Sequence, residues 1–426
     1  MSRNFTRISA GLLLLFAMLA CSIQVDPFAA PAIPSSIPAS PATDTPVLVP
    51  PTLAAATNTP FASIPSVTLT PTTNVTATNT AQANPPSATP SAATVASPAI
   101  QKFKMVDASN GWSISDINVL RTSDGGNTWI NVTPVGIGAL GNVDAFFADA
   151  INAWVLSPAS DFTSGTLYRT QDGGSNWSVV SVPFAGGDLK FIDQDHGFML
   201  AALGAGAGSE AVGVYQSNDG GTTWVRNFVN DPTVSGAGDS LPLSGDKSGI
   251  TFSDTTHGWV TGQTPVEDYV YFFSSADGGH TWSKQSVVLP PVQHVMMGAY
   301  APEFFDQNSA SLPVTIIGDS NSTVFFVTQD GGKTWMPTSF VPGLGRYSLF
   351  TAKDAFVWDG GAVLYVSHDG MLNWAQVHPN INVADSLSQM QFMDANTGWA
   401  LAMDASSHIS FYKTTDGGAT WTAILP

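Results

Sequence analysis

The chain has 426 residues, a formal net charge of −18 and a single cysteine. The acidity excludes nucleic acid as a partner, because phosphate binding requires a stripe of basic residues and the sequence contains none. It also argues against simple electrostatic docking on anionic lipid. One cysteine leaves no intrachain disulfide for the fold.

The first 20 residues have the pattern of an export signal. Arg3 and Arg7 precede an apolar run over residues 8–18, which is too short to span a bilayer and is typical of a signal sequence. The run leads to Ala20 and Cys21, an ending that resembles the bacterial lipobox. The resemblance implies cleavage before Cys21, lipidation of Cys21, and anchoring on the extracytoplasmic face of a membrane, in the periplasm or at the cell surface. An ordinary secretory signal with an incidental cysteine is the alternative.

Residues 21–99 are predicted to form a disordered tether rich in Pro, Ser, Thr and Ala. Residues 22–100 contain no Gly, Trp, Tyr, Lys, Arg or Glu, and all 12 tryptophans lie from Trp112 onward. Such a segment cannot bury enough apolar area to offset its chain entropy. The predicted domains are therefore the signal peptide, residues 1–20, the tether, residues 21–99, and one folded domain, residues 100–426.

One eight-residue pattern, Ser/Thr-x-Asp-Gly-x-x-Thr/Asn-Trp, recurs seven times in the folded domain, and we call each copy a repeat box. The pattern predicts a hairpin turn, because Asp accepts bonds from nearby backbone N–H groups and Gly adopts positive φ without strain. The Trp anchors the following strand in an apolar layer. The box aspartates are therefore predicted to be structural, and they are Asp124, Asp172, Asp219, Asp277, Asp330, Asp369 and Asp416.

A second element precedes each box, and we call it the A–B turn. It follows an apolar strand, usually begins with Asp and ends at an aromatic residue, as in Asp107 to Trp112 and Asp254 to Trp259. Each repeat thus supplies four short strands, A to D, with the box between C and D. A repeat of about 47 residues is in the range of propeller blades.

The box is similar to the Asp-box, or BNR repeat, of sialidases and sortilin-type receptors. Over residues 100–426 the sequence most closely resembles the photosystem II assembly and stability factor family. The resemblance and the repeats together predict an all-β fold, a seven-bladed β-propeller. Its first and last strands suggest that the ring closes by packing of the first blade on the last, without strand exchange.

The A–B turns and the boxes lie on one face of such a propeller, and longer, irregular loops lie on the other. Variable loops on a rigid scaffold usually carry function, so the loop face is the predicted binding surface. The candidate contact residues are Asp161, Glu210, Asp239, Asp246, Glu267, Asp268, Tyr269, His294, Tyr300, Glu303, Arg346 and Tyr347.

No catalytic site, cofactor or metal is predicted. A sialidase-like site would need an arginine triad for the substrate carboxylate, whereas only four arginines follow the signal, and Arg121 and Arg169 directly precede boxes. Another kind of glycoside hydrolase needs only two carboxylates about 5–10 Å apart, and a pair such as Glu267 with Asp246 leaves this open. The sequence has no nucleophile elbow, phosphate loop or Cys/His metal cluster.

The resemblance implies a non-enzymatic protein that assists assembly of a membrane complex. Members of that family carry an arginine-rich surface patch, which this chain lacks, so the resemblance supports the fold and leaves the photosystem role open. The predicted function is a membrane-anchored, extracytoplasmic scaffold. Its predicted partners are the membrane, through the lipid anchor, and another protein or membrane complex. The alternatives are a cell-surface glycan-binding module and a glycoside hydrolase of sialidase-like propeller type.

Overall fold

The computed structural model describes residues 93–425, except residues 139, 289–295, 405 and 407. The predictions for the signal peptide, for Cys21, for most of the tether and for His294 lie outside the described residues. Within them, the structure consists of β-strands and two short 3-10 helices, Leu140–Asn142 and Ala384–Ser386. No helix in this part of the chain has the length and apolar character needed to cross a membrane.

The strands follow one another as seven antiparallel meanders, each ending just after a repeat box. Meander 1 contains β1 (Thr94–Val95), β2 (Ile100–Met105), β3 (Gly111–Ser115), β4 (Val119–Thr122) and β5 (Trp129–Asn131); meander 2 contains β6 (Asp144–Phe147), β7 (Ala153–Pro158), β8 (Gly165–Thr170) and β9 (Ser178–Val182). Meander 3 contains β10 (Gly187–Phe191), β11 (Gly197–Gly206), β12 (Ser209–Ser217) and β13 (Val225–Val229); meander 4 contains β14 (Asp246–Phe252), β15 (Gly258–Thr264), β16 (Tyr271–Ser275) and β17 (Ser283–Lys284). Meander 5 contains β18 (Met296–Ala299), β19 (Glu303–Phe304), β20 (Ala310–Ile317), β21 (Ser322–Thr328), β22 (Met336–Pro337) and β23 (Val341–Pro342). Meander 6 contains β24 (Arg346–Leu349), β25 (Ala355–Trp358), β26 (Leu364–Ser367) and β27 (Ala375–Val377); meander 7 contains β28 (Leu387–Phe392), β29 (Gly398–Met403), β30 (Ile409–Thr414) and β31 (Thr422–Leu425).

Five meanders form separate sheets, and meanders 4 and 5 share a ten-stranded sheet. The shared sheet arises where Gln263 and Thr264 of β15 pair with Gly298 and Met297 of β18. Large side chains fill the spaces between successive meanders; Trp112, Trp154, Phe198 and Trp399, for example, are completely buried. The cores therefore lie between sheets that pack face to face.

The repeat boxes share one hydrogen-bond pattern, which Asp277 illustrates. One carboxylate oxygen of Asp277 accepts the N–H of Thr281 at 2.9 Å and the hydroxyl of Ser275 at 2.7 Å. The Ser275 oxygen in turn accepts the N–H of Gly279 at 2.8 Å. The same three bonds occur in all seven boxes, so each carboxylate stabilises a turn of fixed shape.

Each box is also fixed to the A–B turn of its own meander. The N–H of the first box glycine donates to a carbonyl of that turn, as Gly125 does to Ser109 at 2.7 Å and Gly278 does to Thr256 at 2.9 Å. Equivalent bonds occur in all seven meanders, so the boxes and the A–B turns lie together at one end of every sheet. In meander 6 the hydroxyl of Thr351 takes the place of the usual Asp and accepts the N–H groups of Lys353 and Asp354.

Polar side chains join the first strands of neighbouring meanders. In the described residues, the first strand of each meander except β18 has one edge without a strand partner, and the N–H groups on that edge need acceptors. A side chain on the neighbouring first strand supplies them, with bonds of 2.7–2.9 Å from Gly187 N–H to Asp144, from Ile250 N–H to Asp188, from Phe392 N–H to Ser348, and from Met105 N–H to Gln391.

The last of these bonds connects meander 7 to meander 1. Gln391 both accepts from and donates to the Met105 backbone, at 2.8 and 2.7 Å. Nearby, the indole N–H of Trp399 donates to the Gly125 carbonyl at 2.9 Å. No strand is exchanged between these two meanders in the described residues, so their contact is made by side chains and packing.

The structure places the end of the predicted tether in meander 1. Thr94 and Val95, which lie before the predicted boundary at residue 100, pair with Ile130 and Trp129 as strand β1. Val95 also packs on the apolar cluster shared by meanders 1 and 7. The composition of residues 21–99 hid this strand because two residues are too few to change the average.

The box aspartates make the fold sensitive to acid. Hydrogen bonds from the Thr334 hydroxyl and N–H hold the pKa of Asp330 down to about 2, from the usual 3.8, and Asn373 likewise lowers the pKa of Asp369 to about 2. Because these pKa values are lower in the folded than in the unfolded chain, the stabilisation is complete above about pH 4 and is lost as the pH falls towards 2.

We therefore expect the melting temperature to fall steeply between about pH 4 and pH 2. The Asp330→Asn variant should melt earlier than the wild type at pH 7 and show a shallower acid dependence. Asp239→Asn, at an exposed loop position, is the matched control and should follow the wild-type curve. An unchanged melting temperature across this pH window in the wild type would contradict the proposed role of the carboxylates.

Candidate functional site

A cavity of about 740 Å³ lies between the first strands of several meanders. Residues of β2, β10, β14, β19 and β24 line it, together with the A–B turn of meander 5. The first strands of different meanders therefore converge on this space. Its charged and aromatic lining includes Lys104, Asp188, Lys190, Tyr300, Glu303 and Tyr347.

A β-bulge places Tyr300 and Glu303 at the cavity. Ala299 pairs with Val314 and Glu303 pairs with Ser311, so three residues on one strand face two on the other. Pro302 lies within the bulge and lacks the N–H that a continuous ladder needs. A bulge of this kind redirects side chains, and here it separates β18 from β19.

The cavity lining contains one ion pair and two further carboxylates, Glu303 and Asp306. Lys190 Nζ lies 2.9 Å from a carboxylate oxygen of Asp188. Glu303 is exposed, but the protein atoms around its carboxyl group partly desolvate it. This desolvation raises the pKa of Glu303, while the positive charges of Lys104 and Lys190 act in the opposite direction. Glu303 thus holds a proton more readily than an ordinary surface glutamate.

Two tyrosines stand beside Glu303 in the lining. The ring centroids of Tyr300 and Tyr347 are 5.9 Å apart in an edge-to-face arrangement. Tyr300 keeps 41% of its surface exposed. Burial, followed by the negative charge of Glu303, raises the pKa of Tyr347, so its hydroxyl stays protonated at neutral pH. The cavity therefore offers aromatic faces and hydroxyl groups next to a carboxyl group.

A smaller cavity of about 210 Å³ lies near Glu210 and Lys247. Lys247 Nζ donates to the backbone carbonyls of Glu210, Leu243 and Gly245 at 2.8–2.9 Å. Desolvation lowers the pKa of Lys247 to about 8, against the opposing charges of Glu210 and Asp246. Because its ammonium group already has backbone acceptors, Lys247 serves to fix the preceding loop.

The remaining predicted contacts are spread over the outer loops. Asp161 accepts the N–H of Thr163 in a local turn, and Lys284 Nζ lies 3.9 Å from the centroid of the Tyr269 ring. Five of the predicted contact residues line neither cavity: Asp161, Asp239, Glu267, Asp268 and Tyr269. Among the predicted contact residues in the described part of the chain, the structure brings together only Tyr300, Glu303 and Tyr347 in the main cavity.

Several of the predicted loop residues lie on strands instead. Glu210 is on β12, Asp246 is on β14 and Glu303 is on β19, while Arg346 and Tyr347 are on β24. Residues 202–212 form mainly a hairpin extension of β11 and β12 and not an irregular loop. It turns at Ala207 and Gly208, whose φ values of 50° and 75° suit a two-residue hairpin turn.

Sequence reasoning missed Lys104, Asp188 and Lys190. These residues lie on the first strands β2 and β10, whereas the predicted contacts were placed on loops. An available signal was the alternation in β2 and β10, where polar residues such as Lys104 and Lys190 interrupt the apolar ones. The cavity also reaches Asp306 and Gln307, in the A–B turn of meander 5, so it extends towards the face of the boxes.

Two arginines considered for a sialidase-like triad contact other parts of the scaffold. Arg169 donates to the Gln194 carbonyl at 2.8 Å and lies 5.3 Å from the centroid of the Trp154 ring. Arg121 lies 6.0 Å from the centroid of the Trp112 ring. Neither arginine lines the main cavity.

No family model matches the chain, and no curated protein matches it. Among solved structures, YCF48 bound to a D1 peptide is similar, with 15% identity and a TM-score of 0.50 over 76% of this chain and 96% of that chain. The GH74 xyloglucanase from Xanthomonas campestris is also similar, with 13% identity and a TM-score of 0.51 over 76% of this chain and 56% of the enzyme. This chain therefore spans only about half the length of the xyloglucanase. Together with the antiparallel sheets described above, these similarities show that the chain has a β-propeller fold.

Proposed function

We propose that this chain is a non-enzymatic, extracytoplasmic scaffold, a seven-bladed propeller of Asp-box repeats that binds a segment of another protein in its central cavity. The observation that carries the proposal is the cavity of about 740 Å³ lined by strands of five meanders. The similarity to YCF48 bound to a D1 peptide, over 96% of that chain, supports a peptide as the ligand. The photosystem role is not part of the proposal.

The chemistry of the cavity suits a peptide segment. Tyr300 offers an exposed ring of the kind that often dominates binding energy at interfaces. Lys104, Glu303 and the Asp188–Lys190 pair add charges of both signs within the same space. Rigid first strands hold these groups, which lowers the ordering cost of binding.

The test is recovery of crosslinked partners from detergent-solubilised membranes that contain the full chain. Tyr300→Ala should reduce recovery of the specific partner about tenfold, which corresponds to about 1.4 kcal/mol. Tyr269→Ala, on the predicted loop face and outside the cavity, is the matched control and should leave recovery unchanged. The reverse result would place the binding surface on the loops, and equal recovery from both variants would exclude the cavity.

Lipid anchoring at Cys21 is part of the same proposal and rests on the lipobox-like sequence. Mass spectrometry of the mature protein should show diacylglycerol on Cys21, and Cys21→Ser should release the protein from membranes on carbonate washing. A Cys21→Ser protein that stays fully bound to the membrane would contradict the anchor.

A second candidate function is glycan binding or glycoside hydrolysis. The exposed ring of Tyr300 beside Glu303 favours it, because sugars stack on aromatic rings and carboxyl groups act as proton donors in glycosidases. The similarity to a xyloglucanase agrees with it. Retardation by xyloglucan in affinity electrophoresis, or release of reducing sugar that Glu303→Gln abolishes, would support this function over the scaffold.

A further inference from the structure

Glu303 is an exposed acidic residue in the lining of the main cavity, and its carboxylate has no direct partner among the described residues. Among the described residues, no Lys, Arg or His nitrogen forms an ion pair with its carboxylate, and no hydrogen bond reaches it. Other carboxylates at the first strands do have partners, as Asp188 has in Lys190 and Ile250, and Asp144 has in Gly187. Glu303 is thus not needed to hold the meanders together, and its carboxylate is available to a ligand.

The surroundings of Glu303 are aromatic. Tyr300 and Tyr347 line the same cavity, with ring centroids 5.9 Å apart and ring planes at 61°. Two aromatic rings that meet edge to face beside a carboxylate attract a cation, because ring faces carry negative electrostatic potential. Phe304 and Phe305 extend the apolar part of the lining, which suits the methylene groups of an alkylammonium chain.

We propose that the corner formed by Tyr300, Glu303 and Tyr347 binds a protonated alkylamine, such as the lysine side chain of the partner segment. The proposal rests on the function proposed above and names one group that the partner must present. The amine forms an ion pair with Glu303, and its methylene groups lie against the two rings. A partner with a basic side chain also suits a protein whose net charge is −18.

The other charges at the cavity leave room for a cation. Lys104 and Lys190 line the cavity, but Asp188 pairs with Lys190, and Asp306 adds a further negative charge. The two lysines thus face three carboxylates in the lining, which leaves one negative charge in excess. Arg346 lies next to Tyr347 on β24, and its positive charge acts to lower the pKa of that tyrosine. Arg346 does not line the cavity.

Amine binding is coupled to the proton of Glu303. Desolvation raises the pKa of this carboxyl above its ordinary 4.5, and Lys104 and Lys190 only partly reverse the shift. A bound ammonium group favours the ionised form, so binding displaces the proton that Glu303 holds at low pH. Affinity for the amine therefore rises as the pH rises through the pKa of Glu303 and then levels off.

The test uses isothermal titration of the purified full chain with N-acetyl-lysine methylamide, and with N-acetyl-norleucine methylamide as the uncharged probe. Titrations in two buffers of different ionisation enthalpy, at several pH values, report the protons released. We expect binding of the lysine probe only, with proton release near the pKa of Glu303. Glu303→Gln, nearly identical in shape, should weaken binding at least tenfold and abolish the pH dependence. Asp319→Asn, at an exposed position outside the cavity lining, should bind like the wild type.

Equal binding of the lysine probe by Glu303→Gln and wild type, or no preference for lysine over norleucine, would overturn the proposal. Circular dichroism melts show whether each variant is folded. As a second test, Tyr300→Phe keeps the aromatic ring and should retain most of the affinity for the lysine probe. If Tyr300→Ala abolishes partner recovery while the lysine probe does not bind, the scaffold function stands and this inference fails. If the lysine probe binds but no partner is recovered, the inference stands and the scaffold function fails.

Discussion

Replacing Trp399 with alanine should lower the free energy of unfolding by about 3–5 kcal/mol, the range for loss of a buried aromatic side chain. Trp399 is completely buried on β29, in the apolar cluster that also contains Phe103 and Trp129 of meander 1. Its indole N–H donates to the Gly125 carbonyl at 2.9 Å. The substitution therefore removes both packing and a hydrogen bond at the junction of the first and last meanders. Urea denaturation followed by tryptophan fluorescence measures the loss.

A matched variant separates ring closure from ordinary packing. Trp154 occupies the equivalent position in meander 2, is completely buried, and donates to the Gly220 carbonyl of meander 3 at 2.9 Å. If the junction between meanders 7 and 1 is packed as tightly as an internal junction, Trp154→Ala and Trp399→Ala should lower the free energy of unfolding by similar amounts. Met403→Ala, at a half-exposed position of β29, should change stability by no more than about 0.5 kcal/mol. A large loss for Trp154→Ala with almost none for Trp399→Ala would mean that the ring is open in solution.

The regular part of this fold is predictable because its determinants are local. A box contains its own acceptor in Asp277, its own donor in Ser275 and its own flexible residue in Gly279, all within five residues. The geometry therefore follows from residue type and spacing. The β-propeller fold and the antiparallel strands are confirmed, and the placement of A–B turns beside boxes follows from the same local pattern.

The candidate site was less predictable because its residues come from different meanders. Lys104, Lys190 and Glu303 are far apart in the sequence and meet only because their first strands converge. No local pattern marks them as a group, and the expectation that function lies in loops pointed to Glu267 and Asp268 instead. Tyr300 and Glu303 were found because the sequence around Pro302 is irregular, although the bulge that re-aims them was not foreseen.

Strand β1 was missed for a related reason. Its two residues pair with β5, which lies more than 30 residues later, and nothing in their composition differs from the preceding segment. Pairing with a distant strand depends on an available edge, and that edge exists only in the folded domain. The ends of predicted disordered segments are therefore the positions where composition is the weakest guide.

Replacing Met371 with glycine should destabilise the fold, even though it restores the residue found in the other six boxes. Met371 has a φ of +61°, a conformation that costs a residue with a Cβ atom about 1–2 kcal/mol. Its side chain, however, is completely buried against a cluster that includes Phe325, Val341 and Val357. Truncating a buried methionine costs about 2–5 kcal/mol, which exceeds the strain released. We expect a net loss of about 1–3 kcal/mol in urea denaturation.

A second substitution at the same position measures the strain directly. Met371→Ala loses nearly the same side-chain volume but keeps the Cβ atom at positive φ, so it should be less stable than Met371→Gly by about 1 kcal/mol. In meander 5 the equivalent box residue is Gly332, where a side chain has no room. A Cβ atom on Gly332 would lie 2.4 Å from the Trp259 ring. Gly332→Ala should therefore be strongly destabilising, through both the clash and its φ of +81°. If Met371→Gly were more stable than the wild type, burial of the Met371 side chain would not compensate for the strain of its positive φ. The sixth box would then be a weakened copy of the repeat, and not a box that is stabilised by a buried side chain.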